Sequence, residues 1–169
     1  MKVVIFGGSS VNEENYSIAY ELGKYLAEKG HVIVNGAHDG TMEASAKGAR
    51  EKGGKVIGIT CKQIENIKPM NDHISESIIT DDLFDRLKAY YPGTDLFIAL
   101  PGGTGTLTEM MLTGDLMGLN MLDKKPILAF DFWKPVLEHV QENQSRLKGL
   151  SFFTFVKNLD DIKEFLEKQ

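Results

Sequence analysis

"LFIALPGGTGTLTEMM", residues 96–111, joins a continuous apolar run to a helical pattern through a turn that holds Gly102, Gly103 and Gly105. An apolar run without alternation suits a strand buried on both faces, as in a parallel sheet covered by helices. A glycine-rich strand-to-helix turn at the carboxyl end of such a strand offers free backbone N–H groups to an anion. The same glycines also fit a tight turn at positive φ that binds nothing.

Further short runs lie on either side: "VVIF" (3–6), "VIV" (32–34), "KVIGI" (55–59) and "PILAF" (126–130). Helical patterns alternate with them. "NYSIAYELGKYLAEKG" ends at Gly30, "TMEASAKGAREKGG" ends in a glycine pair, and "DDLFDRLKAYY" follows possible caps at Thr80 or Asp81 and stops before Pro92. Helices are expected from about Thr106 to Leu122, from Trp133 to Asn143 and in "LDDIKEFLEK". This alternation predicts an α/β fold, a doubly wound, mostly parallel sheet flanked by helices on both faces, with residues 1–169 forming one domain. Residues 60–80 are the least regular stretch, either a surface excursion covering a site or a long crossover connection. "SFFTF" (151–155) and Trp133 read as core or helix-packing aromatics.

The net charge of −5 provides no basic stripe for a row of phosphates, which argues against nucleic-acid and anionic-membrane partners. Any phosphate must be held locally. One cysteine, Cys61, allows no intrachain disulfide and no cysteine cluster for a metal. The histidines have no metal-ligand spacing, although His38 and Asp39 sit in a glycine loop where they can touch a ligand. No apolar segment approaches the roughly 18 residues needed to span a bilayer, and no signal-peptide core is seen, so a cytoplasmic protein is expected.

Two more glycine-bearing turns follow strands: "FGGSS" (6–10), with Gly8 and Ser9, and "NGAHDGTMEA" (35–44), with Gly36, Gly40, Thr41 and Met42. In a parallel sheet they converge with Gly102, Gly103, Thr104, Gly105 and Thr106 on one edge, forming a crevice in which Thr104 and Thr106 add hydroxyl donors. The P-loop pattern fits poorly because no Lys follows the glycines, and the dinucleotide fingerprint because "GTGTLT" ends in Thr108 and the loop lies late in the chain. Glu109 has two readings. With a helix starting near Thr106 it is in the first turn, where the helix dipole favours an acid; beside a bound sugar phosphate, it can stabilise an oxocarbenium-like state or activate water. Arg86 is either an exposed partner of Asp82 at four-residue spacing or the cation of the same site.

"PGGTGTLTE" resembles the PGGxGTxxE motif of the LONELY GUY (LOG) family, often labelled lysine decarboxylases. "VVIFGGSS", "NGAHDGTMEAS" and "DKKPILAF" are similar to other segments of that family, and the resemblance covers roughly residues 2–130. It implies a Rossmann-like fold, usually homodimeric, and a phosphoribohydrolase that splits a nucleoside 5′-monophosphate, cytokinin-type or ordinary, into base and ribose 5-phosphate. It places Arg86 and Glu109 at the catalytic positions and residues 102–106 at the phosphate, and implies no metal or pyridoxal cofactor. A few related proteins carry molybdenum cofactor, which gives a second expectation, a binding protein without hydrolysis. The chain departs from the pattern at Leu87, where the lysine of an Arg-Lys pair is expected. Lys88 follows one place later, turned about 100° around the helix. "GTMEA" replaces a G-L-M-G sequence, and the motif helix lacks the Trp and Gln often found there. Met110, Met111, Met117 and Met121 fall on several faces of that helix, so core packing and a dimer interface near Gly114 and Gly118 both remain open.

Overall fold

The computed structural model describes residues 1–143 and 148–169. Its first strand, β1 (Lys2–Phe6, KVVIF), is buried from Val3 onward. Successive side chains alternate between faces. Val3 and Ile5 therefore pack with Leu22 and Leu26 of α1 (Glu13–Glu28), Ala46 and Ala49 of α2 (Thr41–Glu51), and Ile162 of α7 (Leu159–Glu167). Val4 and Phe6 pack on the other side with Leu87 of α4 (Leu83–Ala89), Met110 and Met117 of α5 (Thr104–Gly118), and Leu137 of α6 (Lys134–Asn143). Two apolar layers on one sheet explain why the strand runs show no alternation.

The remaining strands are β2 (Val32–Asn35), β3 (Val56–Cys61), β4 (Glu76–Thr80), β5 (Leu96–Ala99), β6 (Ile127–Phe130) and β7 (Phe153–Val156). All neighbouring pairs are parallel, in the order β4-β3-β2-β1-β5-β6-β7. The doubly wound α/β architecture expected from the sequence is thus present. Strand order reverses at β1, which pairs with both β2 and β5, so the turns after β1 and β5 diverge to leave a crevice.

Three expectations need correction. Residues 60–80 contain α3 (Lys62–Ile67) and the edge strand β4, whose Ile78 and Ile79 are half-exposed because only β3 flanks it. "SFFTF" contributes β7 at the opposite edge, although Phe152, Phe153 and Phe155 do pack on the core as expected. The motif helix begins at Thr104 with Gly103 as N-cap, and Glu109 therefore lies in its second turn. The methionines divide: Met110 and Met117 are in the core, Met111 packs against it and Met121 is exposed.

α1 and α2 cross closely through glycines. A Cβ on Gly48 would lie 2.0 Å from the Tyr20 carbonyl oxygen, and one on Gly23 would lie 2.1 Å from that of Ser45. Alanine gains about 1 kcal/mol of helix propensity over glycine, but overpacking against backbone costs about 1–3 kcal/mol, and backbone cannot swing aside. Gly48→Ala is expected to lower the unfolding free energy by up to about 2 kcal/mol, measured by urea denaturation; a stabilised variant would show that the helices separate freely.

Candidate active site

The turns after β1, β2 and β5 interlock through positions where a side chain has no room. A Cβ on Gly8 would meet the α carbon of Gly102 at 3.1 Å, and one on Gly102 would meet Thr106 Oγ1 at 2.3 Å. Gly40, at φ +66°, brings the second loop against the Gly8 carbonyl, which accepts from Thr41 N at 3.0 Å and Thr41 Oγ1 at 3.2 Å. The loop between is fixed by Asn35. Its Oδ1 accepts from Ala37 N at 2.9 Å, while its amide donates to the Met42 carbonyl and to Ser45 Oγ. Ala37 is thereby held at φ +68°, a conformation that costs a non-glycine residue energy.

Around these turns lies a cavity of about 460 Å³. Gly7, Gly8 and Ser9 line it from the first turn, and Gly103, Thr104, Gly105 and Thr106 from the start of α5. Gly103 caps α5 without a side-chain acceptor, which leaves first-turn N–H groups facing the space. Met42, Arg86 and Glu109 also line it. Gly36, Gly40, Thr41 and Gly102, expected at the ligand, form the supporting layer behind the lining residues.

Arg86 is only 8 % exposed, so the surface pairing with Asp82 gives way to an inward role. Its Nε donates to the Ile59 carbonyl at 3.0 Å and Nη2 to that of Gly36 at 3.5 Å. A Cβ on Gly36 would lie 2.4 Å from Nη2, so this glycine makes room for the guanidinium. Tyr90, one helical turn after Arg86 and buried, packs its ring 5.8 Å from the guanidinium carbon. Its hydroxyl lies beside both Arg86 and Glu109 and feels the charge of each. Burial pushes the Tyr90 hydroxyl far above its ordinary pKa, so it remains a donor to the Glu109 carboxylate.

The Glu109 carboxyl is pushed up to about 7, chiefly by desolvation, with the nearby Arg86 charge and the Tyr90 hydrogen bond pulling the other way. A carboxyl held near neutrality can exist in either protonation state under physiological conditions. His38 is different. Burial lowers its pKa, and its nitrogens face Thr60 Oγ1 at 2.8 Å and the Pro69 carbonyl at 3.4 Å. A carbonyl accepts only, which places the ring proton on Nδ1 and leaves Nε2 to accept from Thr60. His38 lines the cavity, yet both its ring nitrogens are engaged within the protein.

Tyr90 escaped the sequence reading, although its four-residue spacing from Arg86 puts both on one helix face. Ile64, Ile67 and Lys68 also line the cavity, so the α3 part of the 60–80 stretch borders it. No sequence signal distinguishes these three from an ordinary connection.

A family model described as the SLOG cluster4 family matches residues 1–152. The chain belongs to that family. It is LOG-related, in agreement with the motif. A cytokinin riboside 5′-monophosphate phosphoribohydrolase of Mycobacterium tuberculosis is 32 % identical over 133 residues, covering 77 % of this chain and 70 % of that one. A pyrimidine/purine nucleotide 5′-monophosphate nucleosidase of Escherichia coli K12 is 37 % identical over 134 residues, covering 75 % of this chain but only 29 % of the longer protein. The molybdenum cofactor binding protein of Rippkaea orientalis has a similar fold, with a TM-score of 0.74 and 22 % identity over 99 % of this chain and 94 % of that one.

The raised Glu109 pKa carries a stability consequence. The folded state binds a proton more tightly than the unfolded chain does, so wild-type stability falls as pH rises from about 4.5 to about 7 and then levels off. Glu109→Gln carries no such ionisation. It is expected to be more stable than wild type at pH 8 by up to about 3 kcal/mol, with the difference shrinking toward pH 4.5. Denaturation curves across this range check the sign, and a pH-independent difference would contradict the assigned desolvation.

Proposed function

We propose that this protein hydrolyses the N-glycosidic bond of a nucleoside 5′-monophosphate, releasing free base and ribose 5-phosphate. The observation that carries the reading is the desolvated Glu109 carboxyl beside the uncapped N-terminus of α5. A group that only binds an anion gains nothing from a carboxylate at its side, since like charges repel. A glycosidic bond breaking over that carboxylate does use it. The 5′-phosphate sits at residues 103–106 and Gly8–Ser9, and positive charge developing on the ribose meets ionised Glu109. Water adds to the anomeric carbon and gives a proton to Glu109, and the base departs with the bonding pair and takes up a proton. Arg86 and Tyr90 hold the carboxylate in place and favour its ionised form.

The names of the M. tuberculosis and E. coli relatives support the substrate class. The molybdenum cofactor proteins support the alternative, a carrier, only through the fold they share with the chain. Release of base and ribose 5-phosphate from nucleoside monophosphates, cytokinin nucleotides included, tests the choice. We expect turnover that Glu109→Gln reduces by at least about 10²-fold, the lower range for a general acid–base group, with an acidic limb near pH 7 in kcat/KM, activity rising above it. Tight binding without cleavage favours the carrier.

The same reading places the protein in the cytoplasm, with its nucleotide substrates; no helix among the described residues is long and apolar enough to cross a membrane. It also makes the protein a homodimer. Ile78 and Ile79 on edge strand β4, with Leu83 and Phe84 at the start of α4, are exposed large apolar residues, Phe84 at 75 %. An unpaired edge beside exposed apolar groups invites a second copy. Sedimentation is expected to find a dimer, and Phe84→Glu to shift it to monomer; a monomeric wild type would refute the assignment.

A further inference from the structure

The Arg-Lys pair expected from the motif is broken in this chain, and the structure shows where each residue goes. Leu87 is buried in the core that includes Val4 and Phe6. Lys88 has a side chain 75 % exposed, pairs with Asp85 at 3.0 Å, and does not reach the cavity. The cations that line the cavity, among the described residues, are Arg86 and Lys68. Arg86 already directs donors to the Ile59 and Gly36 carbonyls.

Lys68 is the C-cap of α3, on the far side of the sheet order from α5, and forms an ion pair with Asp39. Asp39 directly precedes Gly40, and Gly40 abuts Gly8 and Ser9. Gly8 in turn touches Gly102. Lys68 lines the same cavity as Gly8, Ser9 and the first turn of α5, and Asp39 holds its ammonium group at that wall. The ion pair is itself nearly half-exposed on both sides, so water and salt screen it and exchange of partner costs little.

We propose that Lys68 supplies the second cation of the phosphate site, releasing Asp39 to pair with the phosphoryl group of the bound nucleotide. This rests on the nucleoside-monophosphate reading and deepens it: a cation comes from the connection between β3 and β4 in place of the neighbour of Arg86. Lysine suits the task, because a flexible stem with a compact ammonium group can change partners, whereas a planar guanidinium is held by its fork geometry. Asp39 is then a competitor that occupies Lys68 in the free protein.

Binding separates this assignment from a structural role for the ion pair. Adenosine 5′-monophosphate and adenosine are titrated calorimetrically into Glu109→Gln protein, so that turnover does not interfere, with and without Lys68→Met. Loss of Lys68 is expected to weaken the monophosphate about thirtyfold, as for one charge-assisted hydrogen bond, and to leave adenosine unchanged. Asp39→Asn is expected to act in the opposite direction, tightening the monophosphate several-fold. Equal losses for both ligands, no loss for either, or weakening by Asp39→Asn would each overturn the proposal. A protein that cleaves nucleotides while its affinity ignores Lys68 defeats this assignment alone, whereas failure of the Lys68-intact protein to bind any monophosphate defeats it together with the hydrolase reading.

Discussion

A guanidinium group without bulk water around it must find partners, and the site is arranged around that requirement. Arg86 reaches β3 through the Ile59 carbonyl, the β2 loop through the Gly36 carbonyl, and α5 through Glu109, with Tyr90 at the end of its own helix packed against it. Removing one partner of such a buried network leaves the others unsatisfied, which costs more than the bond itself. Gly36 has no side chain because the guanidinium occupies that space. The charge also opposes the desolvation that keeps Glu109 near neutrality, so one residue ties the fold of three elements to the chemistry of a fourth.

The glycine turns meet a different constraint, which is backbone proximity. Parallel strands diverging from β1 carry their following turns apart, and a small ligand can be reached from both sides only if those turns lean back over the gap. Gly8, Gly40 and Gly102 permit this by stacking backbone on backbone. Side chains then become scarce at this end of the crevice, and the first-turn N–H groups of α5, which no side chain caps, are the donors left there.

What the sequence made legible follows from burial. β1, β2, β3, β5 and β6 lie between neighbours and under helices, so their apolar runs are continuous and could be recognised. β4 and β7 are edges, with one neighbour each, and "ESIIT" and "FTFV" carry polar residues that dilute the pattern. The start of α5 was expected near Thr106; Gly103 is the N-cap and the helix begins at Thr104, so the first-turn dipole explanation of Glu109 falls. Arg86 and Glu109 were reached through the resemblance of "PGGTGTLTE" to a known motif, since charge and spacing alone left Arg86 as a surface partner of Asp82 and Glu109 as a helix-dipole acid. Tyr90, Ile64, Ile67 and Lys68 were not, because their place at the cavity depends on how α3 and α4 pack, and no local pattern encodes that packing.

Net charge and local charge act on different scales here. The formal −5 is spread over the whole surface, and ions screen exposed charges beyond about 8 Å at physiological salt. At the cavity, the nearest positive groups are backbone N–H donors, the buried Arg86 and the half-exposed Lys68. An acidic protein can therefore offer a site favourable to a single phosphate while repelling a polyanion, whose many phosphates would extend over the negative surface. The same separation of scales explains how Glu109 can sit within the site: desolvation and two neighbours set its ionisation, and the charge of the remaining chain contributes little at that distance.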